Sequence, residues 1–442
     1  MWGVISKFGA KLQKIMEKKA RNVRNISYFC IVKHLYRHIS KDLRNFIALS
    51  AVMFFSVIGP AYSQPTGQQT GFSPDSLHIY LLTCSPHQEV YSLYGHTAIR
   101  MENRNNGTDY AINYGVFDFR KPFFVLRFVF GLTDYEMGIY ETSIFKDEYR
   151  YYGSGVTQQE INLTPEEKMK FFAAVDENYK PENRVYRYNY FYDNCTTRAR
   201  DIIVNSINGK VAYGTTPPTG GTTFRRMIHK MNEGHPWARL GNDLLLGIGA
   251  DRELSAEDMQ FLPHSMYDAA KSAYIIDNKG HKRSFVKQES ELVSEGTQVV
   301  EEEFPLTPVQ CAVILLALSI IASVYEWKRG RYLWWFDAGM MFAQTLCGLI
   351  LTAMIFSQHP TVSLNIQILL FNILPLFFGV PAIRQYRRGQ VHFLWLIQAV
   401  LICLMLVLSS SGVQWTGMEV RLVALCVLLR ATMKFKLQQM RR

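Results

Sequence analysis

Two stretches of this chain hold side chains that can do chemistry together. One is Tyr94-Gly95-His96-Thr97-Ala98-Ile99-Arg100; the other, about a hundred residues later, is Asp193-Asn194-Cys195-Thr196-Thr197-Arg198. The first reads as a strand that presents a histidine, the second as the opening turn of a helix that presents a cysteine. A helix N-terminus favours negative charge on sulfur and an imidazole takes the thiol proton, so the pair can make a thiolate nucleophile. Taken singly, each residue has a plainer reading. A cysteine near a helix start is most often a small buried hydrophobe, and a lone histidine on a strand is usually a hydrogen-bonded core or surface residue. Both sit in polar contexts containing Gly or Asn, which favours the pair. A third group should orient the imidazole. Asn113 and Asp118 both qualify, Asn113 being the first choice, and their plain readings are a strand-edge hydrogen bonder and a turn residue. A backbone amide of Cys195 or its neighbours is the candidate oxyanion donor.

The elements that must position these groups are legible. Residues 77–83 form an expected strand. Residues 96–102 and 110–116 form a pair joined by the turn Asn103-Arg104-Asn105-Asn106-Gly107. Pleat parity puts His96, Ala98 and Arg100 on one face. Thr164-Pro165-Glu166-Glu167 opens a helix expected to reach about Asn178, with Thr as N-cap and a capping box. The next helix starts after Asp193 or Asn194, with Ile202, Ile203 and Ile207 as its apolar stripe. Mixed strands and helices make this an α+β domain.

The rest of the chain is a membrane protein's. The net charge of +11 over 442 residues is concentrated before residue 45 and in short loops between C-terminal apolar runs, which argues against nucleic acid. Residues 46–59 form an apolar stretch followed by Ala61-Tyr62-Ser63, the pattern of a signal-peptidase site, with an unusually long basic region ahead of it. Five spans are expected near 308–326, 333–356, 364–383, 392–411 and 417–433. Loops at Lys328-Arg329-Gly330-Arg331 and Arg384-Gln385-Tyr386-Arg387-Arg388 are basic, as is the C-terminus. Those at 357–361 and 409–412 have no Lys or Arg, so the soluble domain comes out extracytoplasmic. Asp337 and Glu419 read as the only charged residues near or within the later spans, which argues against an ion-coupled transporter. The expected organisation is a basic extension and signal over 1–63, a catalytic domain over 64–286, an acidic linker over 287–305, a five-helix transmembrane domain over 306–434 and a cytoplasmic tail over 435–442.

Seven scattered cysteines contain no CxxC pair, and only Cys84 and Cys195 belong to the soluble region, where a disulfide between them is a minor possibility. There is no GxGxxG, Walker, HExxH or G-x-S-x-G motif. No cofactor or metal is expected. The aromatic runs at 123–130 and 186–192 read first as core packing, and alternatively as a greasy wall for an acyl chain. His359 reads as an interfacial polar residue, or as one that touches a lipid head group at the mouth of the site.

At these residues the sequence resembles a known family. Leu82-Thr83-Cys84, the His96 motif, Asn113-Tyr114-Gly115-Val116-Phe117-Asp118-Phe119 and the Cys195 motif are similar to the periplasmic domain of the Lnb-type lipoprotein N-acyltransferases. Phe261-Leu262-Pro263 and His359-Pro360 fit the same pattern. The order His then Cys also resembles the permuted papain-like folds of NlpC/P60 peptidases and lecithin:retinol acyltransferase. The resemblance implies an inner-membrane enzyme with its catalytic domain in the periplasm. It further implies an acyl-enzyme on Cys195 with His96 as base, a membrane phospholipid as donor, and the α-amino group of a lipoprotein's diacylglyceryl-cysteine as acceptor. Arg100, Asp118, Asn194 and His359 are the candidate substrate-binding residues. The alternatives are an NlpC/P60-like cell-wall amidase or peptidase, and a non-enzymatic membrane scaffold or transporter.

Overall fold

The computed structural model describes residues 73–87, 92–117, 122–214, 221–298 and 304–441. The N-terminal extension with its signal, and Asp118, lie outside the described residues. The strands are β1 (Leu77–Cys84), β2 (His96–Asn103), β3 (Thr108–Val116), β4 (Asp134–Glu141), β5 (Val156–Ile161), β6 (Val185–Arg187), β7 (Gly209–Ala212), β8 (Tyr274–Asp277), β9 (Lys282–Ser284) and β10 (Val286–Val293). Seven form an antiparallel sheet in the order β10-β5-β1-β2-β3-β4-β6, and β7-β8-β9 form a small second sheet. The soluble helices are α1 (Phe124–Val129), α2 (Thr142–Tyr152), α3 (Pro165–Tyr179), α4 (Cys195–Val204), α5 (Phe224–Met231), α6 (Pro236–Leu245) and α7 (Pro263–Lys271).

Both faces of the sheet are covered, so β1 is apolar on both sides rather than alternating. Leu77, Ile79 and Leu81 join Ile99 and Ile112 beneath α3 and α4, which contribute Phe171 and Ile203. Tyr80 and Leu82 join Ala98 and Ala111 beneath α2, which contributes Phe145 and Tyr149. Parity therefore puts His96, two residues before Ala98, on the α2 side. The expected capping box of α3 is present, with Thr164 accepting from the Glu167 amide and Glu167 bonding back.

Residues 287–293, at the start of the expected acidic linker, are not a tether. They belong to β10, an edge strand on β5. Most of its side chains are exposed, so the strand needs little apolar content and reads as a polar linker.

The C-terminal part consists of α8 (Pro308–Arg329), α9 (Trp334–Ile355), α10 (Leu374–Arg387), α11 (Phe393–Ser410) and α12 (Met418–Arg441). Among the described residues four helical segments are long and apolar enough to cross a membrane: 308–329, 334–355, 366–387 and 393–410. The third is interrupted, a short 3-10 turn at Ile366–Leu369 preceding α10. Buried amides satisfy the broken backbone, as an apolar surround requires: Gln344 Nε2 donates to the Leu370 carbonyl at 2.5 Å and to Gln398 Oε1 at 2.8 Å. The fifth segment, α12, is 24 residues long and carries Glu419, Arg421, Arg430, Lys434 and Lys436.

The two parts interlock. Gly247 and Ile248 donate to the carbonyls of Thr361 and Leu364, both at 2.8 Å. Gln367 Nε2 donates to the Asp243 carbonyl at 2.6 Å. A Cβ on Gly247 would lie 2.1 Å from the Leu364 carbonyl oxygen, so this approach requires glycine.

Candidate active site

His96 is the first residue of β2, paired in register with Cys84. Gly95 before it has φ of +72°, and a Cβ there would meet the Cys84 carbonyl oxygen at 2.7 Å. Only glycine makes this hook, which turns the chain into β2 at the end of the sheet.

Cys195 is the first residue of α4, with Asn194 as N-cap. Asn194 Oδ1 accepts from the amides of Thr196 (2.8 Å) and Thr197 (2.9 Å), while its Nδ2 donates to the carbonyls of Tyr190 (2.8 Å) and Phe261 (2.9 Å). An aspartate or serine could cap the helix but could not donate twice to carbonyls. The Thr97 and Thr196 hydroxyls meet at 2.9 Å and tie the helix start to β2. The cap occupies the Thr196 and Thr197 amides, which takes both out of the expected set of oxyanion donors and leaves Cys195's own amide.

His96 Nε2 lies 2.8 Å from Asn113 Oδ1. That oxygen can only accept, so Nε2 carries the proton and Nδ1 is left for the thiol. His96 and Cys195 are within hydrogen-bonding and charge-coupling reach. Burial alone would raise the Cys195 pKa, but the imidazolium charge, its hydrogen bond, the Thr97 amide and the Thr196 hydroxyl together hold the thiol below its ordinary value. Burial likewise opposes charge on His96, and is outweighed by the Cys195 thiolate and by hydrogen bonds to Cys195 and Asn113, so its pKa is raised. The two shifts favour a thiolate–imidazolium pair. Cys84 and Cys195 are both free, and burial pushes the Cys84 thiol well up.

The pair lines a cavity of about 740 Å³, a size that suits a small-molecule site. Its wall is shared: Tyr188 and Phe261 come from the soluble domain, Met354, His359 and Val362 from the end of α9 and the following loop. Asn113, Asn194 and His359 all line it. His359 is 3% exposed, its ring lies 4.8 Å from that of Tyr190, and its Nε2 is without a partner among the described residues. Burial lowers its pKa, against a hydrogen bond to the Phe128 carbonyl.

Arg100 is elsewhere. It shares the His96 face of β2 but sits farther along the strand, where Asp109, Glu102 and Gln158 occupy its guanidinium. The structure therefore removes it from the site. Glu148 on α2 is the residue that sequence reasoning missed. It lines the cavity, its pKa is raised by burial, and its charge is coupled to His96. On an amphipathic helix it reads as one more solvated acid; only the pairing of α2 with the His96 face of the sheet could have singled it out.

No curated protein and no solved structure gives a significant match to this chain. Two family models do match: the Lnb N-terminal periplasmic domain over residues 64–229 and the Lnb transmembrane domain over residues 300–442. The cavity is built where these two parts meet, and its two principal residues, His96 and Cys195, lie within the first match. Both parts are present in order and together span well over half of the sequence, so the chain belongs to the Lnb family, as a membrane protein with a periplasmic domain.

Proposed function

We propose that this protein is a thiol acyltransferase that moves an acyl chain from a membrane phospholipid, through a thioester on Cys195, to the α-amino group of a lipoprotein's N-terminal diacylglyceryl-cysteine. The observation that supports the reading is that His96 and Cys195 line one largely apolar cavity whose wall the membrane helices complete. The donor and acceptor classes are those implied by the resemblance to the Lnb-type lipoprotein N-acyltransferases. The five C-terminal helices span the inner membrane with the Cys195 domain on the periplasmic side, in accord with the alternating basic loops.

In the first half-reaction the Cys195 thiolate attacks the ester carbonyl carbon. The C–S bond forms, the ester C–O bond breaks, and the His96 imidazolium gives its proton to the departing lysophospholipid alkoxide. In the second, the acceptor amine attacks the thioester carbon while His96 Nδ1 takes its proton. The C–N bond forms and Cys195 leaves as thiolate. Asn113 holds the ring in the tautomer that both steps use. The Cys195 amide donates to the developing oxyanion. Asn194 and His359 flank the substrate, Asn194 by fixing the helix start and His359 at the membrane end of the cavity.

A cell-wall amidase of the NlpC/P60 type would need an open polar groove, and the wall formed by Met354 and Val362 does not suit a glycan or peptide stem. The decisive experiment is mass spectrometry of lipoprotein N-termini from cells with and without this protein. Loss of the N-linked acyl chain is the expected result; unchanged N-termini would exclude the assignment.

A further inference from the structure

The exposed face of α1 has no role in the chemistry above. Phe123, just before the helix, is 78% exposed; Leu126 is 54% exposed, and Leu132, just after the helix, 36%. Phe123 also has φ of +57°, a conformation that L-residues with bulky side chains avoid. The helix's one charged residue, Arg127, turns back to Asp134 Oδ2 (3.0 Å) and the Leu132 carbonyl (3.1 Å), so the outward surface stays apolar.

The position of this face is fixed by the membrane domain. The Gln358 amide donates to the Phe130 carbonyl at 3.0 Å, which pins the end of α1 to the loop after α9. At that end of α9, Ile355 and Phe356 are 45% and 72% exposed. The outward apolar surface thus lies beside the end of a membrane-spanning helix, at the level of its last turn. On the inner side, Phe124 and Phe128 line the catalytic cavity opposite Met354 and His359.

We propose that α1 is a lipid-inserted flap, and that the seam where α1 meets the end of α9 parts as a lateral portal through which an acyl chain of an outer-leaflet phospholipid enters the cavity. This rests on the acyl-transfer reading and adds the route by which the donor arrives. A short apolar element lying in the interface binds by its buried apolar area. An acyl chain that slides between two apolar walls never crosses water. The pinned carbonyl of Phe130 and the polar loop at Gln358 mark the level where head groups begin.

The test uses full-length protein in nanodiscs of phosphatidylethanolamine and phosphatidylglycerol. Benzoylphenylalanine incorporated at position 123 or 126 should form phospholipid photoadducts, detected by mass spectrometry. The same probe at position 274, an exposed tyrosine on β8, should not. In parallel, the pair Phe123→Asp and Leu126→Asp should slow acyl-enzyme formation from bilayer phospholipid by about tenfold or more, the equivalent of ~1.4 kcal/mol. Acylation of Cys195 by water-soluble p-nitrophenyl butyrate should be unchanged. Adducts at 123 and 126 no stronger than at 274, or equal losses with both donors, would overturn the portal. Failure of the native protein to take an acyl group from either donor would instead remove the acyl-transfer reading, and the photoadducts would still decide whether α1 sits in lipid.

Discussion

Asn113 Oδ1 accepts the Nε2 proton of His96 at 2.8 Å, across two adjacent strands and on the same face of the sheet. This contact decides which imidazole nitrogen can serve the thiol. Its loss should loosen the ring without removing the base. Asn113→Ala is expected to slow acyl-enzyme formation roughly ten- to a hundredfold, as for loss of a hydrogen bond to a charged group of about 1.5–3 kcal/mol. Asn113→Asp, which keeps an acceptor, should restore much of the rate. Equal loss in both variants would mean that Asn113 acts only in packing.

Cys195 itself is tested by trapping. Cys195→Ser and His96→Ala should each remove the hydroxylamine-sensitive acyl label from phospholipid while the protein stays folded and in the membrane. Loss of the general base alone is worth ~10²–10⁴-fold. Cys84→Ser should keep most activity, because its thiol is buried and held protonated. Label persisting on Cys195→Ser, or moving to Cys84, would reassign the nucleophile.

The electrostatics of the pair predict a pH dependence with a definite sign. The thiol is held below its ordinary value and the imidazole above its own, so the thiolate–imidazolium form occupies the window between the two. Alkylation of Cys195 by iodoacetamide, followed by peptide mass spectrometry, should show a midpoint below the ordinary thiol value of about 8.5. In His96→Ala the burial remains and the compensating charge is gone, so the midpoint should move above that value. A midpoint that ignores His96 would dissolve the pair.

Much of this site was legible because its determinants are local. The cap at Asn194 and the β2–β3 hairpin are each written in a few consecutive residues. Arg100 misled because strand parity gives the face and not the distance. Four residues at about 3.3 Å each carry it some 13 Å from His96. Met354 and Phe261 reach the cavity only through long-range packing, which periodicity cannot report. Residues 287–293 read as a tether because an edge strand with most of its side chains exposed carries the same polar residues as a linker. The four clearly apolar spans were readable by length. Arg421 and Arg430 lie inside the expected fifth span, so Asp337 and Glu419 are not the only charges there; the pairing of Arg430 across helices is invisible in a hydropathy pattern.

Glu148 supplies a second pH prediction. Its charge raises the His96 pKa, and burial keeps its own carboxyl above the usual carboxylate range. Glu148→Gln removes that support. The His96 pKa should fall, and the high-pH limb of the acylation profile should move to lower pH while the low-pH limb, set by the thiol, moves little. Unchanged limbs on both sides would assign Glu148 to solvation of the cavity alone.

The last prediction concerns the membrane domain. Arg430 Nε lies 2.8 Å from Asp337 Oδ1 and its Nη2 lies 2.6 Å from Glu326 Oε1. Lys434 Nζ lies 2.6 Å from Asp337 Oδ2 and 3.2 Å from Glu326 Oε2. All four side chains are at most 2% exposed. Two anions and two cations from α8, α9 and α12 thus form a balanced cluster that joins three helices. Breaking such a buried set by removing one partner is costly, about 3–5 kcal/mol, because the charge left behind has no counterpart. Asp337→Asn should therefore lower the thermal unfolding temperature in detergent and reduce the amount of protein in the membrane. Asp337→Asn combined with Lys434→Met restores the balance and should recover part of the loss. The cluster is about 25 Å from the cavity along α9, the rise of the 17 residues between Asp337 and Met354. The alkylation midpoint of Cys195 should then be the same in both variants as in the native protein. Equal instability of the single and double variants would show that side-chain packing, rather than charge balance, holds the three helices together.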